Sequence, residues 1–172
     1  KGKLIVDEEL LHMFYEAGFR KIAVPLENGN QRILDKWCDG KWNIEKCDTI
    51  SLVKKMKEIG LATDGNIMIG FPDETPDELT NSFIMAKNHM DAGLDGLGFF
   101  IVQPFPGTKI YHETIANGQL SPDWHPDEIG WQKGSIFENM LIPKEVLIYC
   151  RRMMWQVLGL DEKKKSVMDQ VQ

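Results

Sequence analysis

The feature that most limits what this chain can fold into is an alternation. Segments with apolar residues at helical spacing are separated by short, apolar, strand-like runs. Residues 7–17 put Leu10, Leu11, Phe14 and Ala17 on one face, with Asp7 placed to cap and Gly18 to stop the helix. "KIAVPLE" at 21–27 reads as a strand and runs into an Asn/Gly-rich loop at 28–31. A helical turn is expected over 33–37. A longer helix then begins between 43 and 48 and ends at Gly60, with Leu52, Val53, Met56 and Ile59 on its apolar face. "GNIMIGF" at 65–71 is the second strand. Thr75-Pro76-Asp77-Glu78 is a capping box that opens the next helix, along which Leu79, Phe83, Ala86 and Met90 recur until Gly93. "GLGFFIVQ" at 96–103 is the third strand, stopped by "PFPGT", and a short helix over 109–116 follows.

Nearly continuous apolar strands are expected of a sheet covered on both faces, and strands that alternate with helices imply parallel βα units. Right-handed crossovers then bring every strand's C-terminal end to one side. After about residue 120 the character changes. Residues 121–134 form a loop rich in Pro, Asp and Trp, and 143–158 read as a helix with Val146, Leu147, Cys150, Met154 and Val157 as its core stripe. The expected organisation is an α/β unit over 1–120 with a loop and helical extension over 121–172.

A chain of 172 residues with 42% hydrophobic and 27% charged residues suits one globular domain. The net charge of −6 speaks against a nucleic-acid partner, whose phosphates select a basic face. The lysine run at 163–165 reads as a solvated tail. No apolar stretch approaches the ~20 residues that span a bilayer, and no signal peptide opens the chain. The start at Lys1, with the apolar piece 4–6 running into a helix signal, is expected of a segment excised from a longer cytoplasmic protein. Cys38, Cys47 and Cys150 are odd in number and irregular in spacing, so reduced, packed thiols are expected rather than a disulfide scaffold. His12, His89, His112 and His125 share no ligand spacing, and no GxSxG, P-loop or GxGxxG occurs. No catalytic residue and no metal ligand is therefore assigned.

The chemistry is expected at the three strand ends, where α/β enzymes place their sites. The first ends in Glu27-Asn28-Gly29-Asn30, the second in Gly70-Phe71-Pro72-Asp73-Glu74-Thr75, and the third in Gln103-Pro104-Phe105-Pro106-Gly107-Thr108. A carboxylate at Glu27 can hold an ammonium group or a ribose hydroxyl, or can simply enter solvent. The turn at Gly70 offers close backbone approach, or is only a well-capped βα turn. Prolines on either side of Phe105 stiffen its loop and present the ring, or form a structural corner.

Taken together, these segments resemble radical S-adenosylmethionine enzymes. "VPLENGNQRIL" is similar to their fourth-strand segment, "NIMIGFPDET" to the fifth and "FFIVQPFPGTKIY" to the sixth. The likeness covers about residues 7–120. It is strongest to the group that often carries an N-terminal cobalamin-binding domain and includes methyltransferases and anaerobic Mg-protoporphyrin ester cyclases. The resemblance implies a partial (β/α)6 TIM-like barrel, strands four to six with their helices, followed by the helical extension. It implies that Glu27, Asn28 and Asn30 meet the amino-acid or ribose part of S-adenosylmethionine. Met68, Gly70, Pro72 and Glu74 would support the adenine side, and Gln103 and Phe105 would close that pocket. Asn28 and Asp73 depart from the small residue and the glycine usual at their positions.

The family's CxxxCxxC motif, which holds a 4Fe-4S cluster, has no counterpart here. The polypeptide alone is therefore expected not to cleave S-adenosylmethionine, and its first partner is the missing N-terminal half of the barrel. The extension would cover the barrel mouth or contact substrate; Trp124 and Trp131 could form an apolar wall there, but ordinary packing is the preferred reading of both. The rival reading is a non-catalytic α/β binding module without a cluster. An aldolase-like half-barrel would want a lysine at a strand end, and none is there. Open sheet edges would also favour a homodimer. The small-molecule substrate is not legible.

Overall fold

The computed structural model describes residues 7–130 and 134–160. Trp131, residues 4–6 and the lysine run at 163–165 lie outside the described residues. The elements are α1 (Glu8–Glu16), β1 (Lys21–Glu27), α2 (Gln31–Trp37), α3 (Thr49–Ile59), β2 (Ala62–Ile69), α4 (Pro76–Asp91), β3 (Gly96–Ile101), α5 (Lys109–Ala116) and α6 (Lys144–Val157), with a short 3-10 turn at Pro126–Glu128. The three strands form one parallel sheet in the order β1-β2-β3. This is an α/β fold whose described part is an open sheet, not a closed barrel.

The local signals act as expected. The Asp7 carboxylate accepts the Glu9 and Leu10 N–H groups at the start of α1. Asp48 caps α3 through the Ser51 N–H, and Gly60 closes that helix in a left-handed conformation, φ 93°. Thr75 and Glu78 complete the capping box of α4.

One face of the sheet carries the main core. Leu26 of β1, Ile67 and Ile69 of β2 and Phe99 of β3 are all but fully buried against Leu52, Val53 and Met56 of α3, Leu79 and Ala86 of α4, and Leu147 of α6. Burying each such side chain contributes about 1.5–3 kcal/mol. Small residues let the layers meet. A Cβ on Gly65 would stand 2.8 Å from the Leu97 side chain and 2.9 Å from that of Leu94.

The other face differs from the expectation of strands covered on both sides. Lys21, Ala23 and Pro25 of β1 and Asn66 of β2 are exposed, and Asp64, Met68, Gly96, Gly98 and Phe100 are half-buried. Lys21 pairs with Asp64 across this face at 2.6 Å. The second strand also begins three residues earlier than its apolar run. The polar residues of 62–66 follow the two-residue period of a sheet with one buried face, and tertiary pairing with β1 extends the strand through them. A second core, Ile33, Trp37, Phe71, Val102, Leu120 and Phe137, lies beyond the C-terminal ends of the strands. Of the stripe expected on α6, Leu147 is buried and Cys150 and Met154 pack against the main core, but Val146 and Val157 are 44% and 68% exposed. The helix touches the main core along a narrower line than its composition suggests.

Candidate functional site

Parallel pairing brings the ends of β1, β2 and β3 to one edge. At the end of β1 the ladder register shifts between Pro25 and Glu27, and Glu27 takes φ 60°. Such a bulge re-aims a side chain, and a left-handed glutamate is a strained choice. The Glu27 carboxylate, 13% exposed, meets Lys41 Nζ at 2.5 Å. Cys38 lies close enough to sense it. Burial first, and the Glu27 charge second, push that thiol up to about 12.

The next three residues turn inward. Asn28 is fully buried, and its amide donates to Glu74 Oε1 at 2.8 Å and to the Met68 carbonyl at 3.1 Å. Its oxygen accepts from the Asn30 backbone N–H and side chain. Gly29 donates to Ser82 Oγ, and a Cβ there would lie 2.8 Å from the Asn81 carbonyl oxygen, so only glycine fits against α4. Glu74 is fully buried, and its second oxygen accepts the Gly70 N–H at 2.5 Å and the Phe71 N–H at 3.3 Å. Burial outweighs these donors and raises the carboxyl to about 7. Gly70, φ 80°, permits the turn that brings its N–H onto this carboxylate.

A second, outer joint ties α2 to the same turn. Arg32 forks onto Glu78 and Asp73, and Lys36 and the Trp37 indole N–H also reach Asp73. Burial works against the Asp73 charge, but the Trp37, Arg32 and Lys36 bonds hold that carboxyl below its ordinary range. The Arg32 bond likewise lowers Glu78.

At the end of β3, Gln103 is buried. Its amide donates to the Gly134 carbonyl at 3.0 Å, while its side-chain oxygen has no partner among the described residues. Phe105 is 41% exposed, and Thr108 caps α5. The segment before α6 straps the second strand end: Asn139 Nδ2 donates to the Phe71 carbonyl and the Met140 N–H to that of Pro72. Trp124 packs edge-on against Tyr111 at 5.8 Å beside the second core, the ordinary packing preferred for it from sequence.

The residues singled out from sequence thus fall into two groups. Glu27, Met68 and Phe105 keep some exposure. Asn28, Asn30, Gly70, Pro72, Glu74 and Gln103 are buried, and the polar ones among them bond within the chain. Sequence reasoning missed Lys41, Arg32 and Asn139. Each acts through a partner more than ten residues away in sequence, and no local pattern announces that. A separate hollow of about 400 Å³ lies between α3, α4 and the loop before α3, lined in part by Trp42, Thr49, Met85 and His89. There His89 Nε2 meets Thr49 Oγ1 at 2.8 Å, and burial holds the imidazole below its ordinary range.

The cysteines do not fit an iron–sulfur cluster. Cys38 and Cys47 lie at the two ends of the loop between α2 and α3, and Cys150 is on α6. Among the described residues, no group of three or more His, Cys, Asp or Glu could hold a metal ion. No described helix is long and apolar enough to cross a membrane.

No family model matches the chain. Curated relatives do. The chain is 28% identical over 137 residues to cytidylyl-2-hydroxyethylphosphonate methyltransferase of Streptomyces wedmorensis, covering 76% of this chain and 25% of that protein. It is 32% identical over 114 residues to an uncharacterized methyltransferase of Pyrococcus horikoshii, 66% of this chain and 24% of that one. This chain is similar to methyltransferases. It is also 32% identical over 87 residues to tRNA-2-methylthio-N(6)-dimethylallyladenosine synthase of Hydrogenovibrio crunogenus, 51% of this chain and 17% of that protein. The chain therefore spans a quarter or less of the relatives it matches.

Proposed function

We propose that this chain supplies the S-adenosylmethionine-holding strand ends of a radical S-adenosylmethionine methyltransferase, as strands four to six of a partial (β/α)6 barrel. The observation that carries the reading is the parallel order β1-β2-β3, which sets the three motif-bearing loops side by side at one edge. Two further facts support it. Two of the relatives are named methyltransferases. The sheet has helices on one face and a partly exposed, partly polar surface on the other, as the inner wall of an incomplete barrel would.

In this reading Glu27 offers its carboxylate to the ribose hydroxyls or the ammonium group of S-adenosylmethionine, and Met68 and Phe105 offer apolar contact to the base. Asn28, Asn30 and Glu74 act one step back, holding the strand ends in place. The cluster thiolates come from the rest of the parent protein, and a cobalamin domain belongs there if the methyl group travels through one. The bound cofactors would supply reductive cleavage or methyl transfer. This chain's residues orient the ligand.

The test is titration of the isotope-labelled chain with S-adenosylmethionine, followed by NMR. Shifts centred on Glu27, Met68 and Phe105 are expected. Shifts confined to other surfaces, or none at millimolar ligand, overturn the assignment. Anaerobic reconstitution of the chain alone is expected to give neither a four-iron cluster nor 5′-deoxyadenosine.

A further inference from the structure

The loop between α2 and α3 reaches Glu27 in a way the sequence motifs do not account for. Asp39 and Gly40 take φ 52° and 60°, two left-handed residues in succession at the end of α2. The Gly40 N–H donates to the Leu34 carbonyl and the Lys41 N–H to that of Cys38, so the turn is fixed at its base. This turn aims Lys41 at Glu27, itself at φ 60°. Three left-handed residues, two of them not glycine, therefore frame one ion pair.

The two partners are unequal. The Glu27 side chain is 13% exposed and that of Lys41 is 50% exposed. A carboxylate so nearly buried needs a cation beside it when no ligand is there. A half-exposed lysine is a poor brace for the fold, since exposed pairs contribute little. Its four-carbon stem lets the ammonium swing into water without moving the backbone.

We infer that Lys41 is the gate of the Glu27 site: it neutralises the carboxylate while the site is empty and swings away when a ligand's hydroxyl or ammonium group takes its place. The inference rests on the reading of Glu27 as a ligand contact, and it makes Lys41 a competitor that sets affinity. Lys46, exposed in the same loop, serves as a reference group.

The experiment is lysine acetylation of the whole chain followed residue by residue by mass spectrometry, paired with calorimetric binding of S-adenosylmethionine. Glu27→Gln is expected to speed modification of Lys41 about threefold or more while Lys46 is unchanged, the scale of a half-exposed ion pair. Saturating S-adenosylmethionine is expected to speed Lys41 in the unaltered chain. Lys41→Met is expected to bind S-adenosylmethionine about three- to tenfold tighter. An unchanged Lys41 rate in Glu27→Gln shows that the pair does not hold the lysine and overturns the gate. So does binding that leaves the Lys41 rate unmoved, or a Lys41→Met chain that binds no tighter. Binding that Glu27→Gln leaves intact overturns the ligand reading of Glu27 and the gate with it, even if the footprint shows that the pair forms. Absence of binding to both the unaltered chain and Lys41→Met does the same.

Discussion

The ends of β1 and β2 are joined twice, and the two joints use different physics. The inner joint is Glu74 with Asn28, Gly70 and Phe71, fully out of water. The outer joint is Arg32 and Lys36 on Asp73 and Glu78, with the cations 45% and 37% exposed. Both tie neighbouring elements at the candidate site. The inner one depends on every donor finding its acceptor, because an unmet group there loses its full solvation. The outer one has its cations half in water, so Arg32 and Lys36 can exchange a partner for solvent, and it is worth correspondingly less. Buried polar groups set the geometry of this edge, and surface charges trim it.

That contrast can be broken at several points, in decreasing size. Glu74→Ala takes one of the two acceptors of the Asn28 amide and strands two backbone N–H groups in the interior, and is expected to cost about 3–4 kcal/mol by urea unfolding. If Glu74→Ala unfolds at the same urea concentration as the unaltered chain, the inner joint is not what holds the edge. Gly29→Ala drives a Cβ to within 2.8–2.9 Å of the α4 backbone. About 2–3 kcal/mol should be lost, with shifts at Asn81 and Ser82.

The joints should also titrate in opposite senses. The Glu74 carboxyl is raised to about 7 in the fold, above its ordinary value of 4.5. The folded state thus keeps a proton that the unfolded state releases, and stability falls as pH rises from about 4.5 to 7, by about 2–3 kcal/mol. Glu74→Gln should abolish that slope. Asp73 and Glu78 are lowered, so the outer joint contributes fully above their ordinary range and is lost as pH falls through their folded values. The smallest effect is expected for Arg32→Ala, about 1 kcal/mol, shrinking in high salt. A salt-independent loss of several kcal/mol would mean that the outer joint behaves as a buried one.

Much of the frame was legible because it is local. Asp7 and Thr75 cap their own helices, Gly60 ends its own, and the bounds of β1 and α5 fall where the sequence places them. Of the candidate site, only the shared edge of its segments was legible. The strand-end segments do converge, but the role of each polar residue was not readable. Asn28 and Glu74 are 46 residues apart and 2.8 Å from each other across two strand ends. A motif at either position says only that the residue matters there. Whether it faces a ligand or a neighbour is decided by the fold.

The sequence by itself determined the order of helices and strands and their parallel sense, because caps, periodicity and turn residues act within a few positions of themselves. Only the tertiary structure decided which face of the sheet is covered, that Asn28 and Glu74 look inward, and that Lys41 meets Glu27. Those outcomes depend on burial and on pairing between distant segments, which local spacing does not carry.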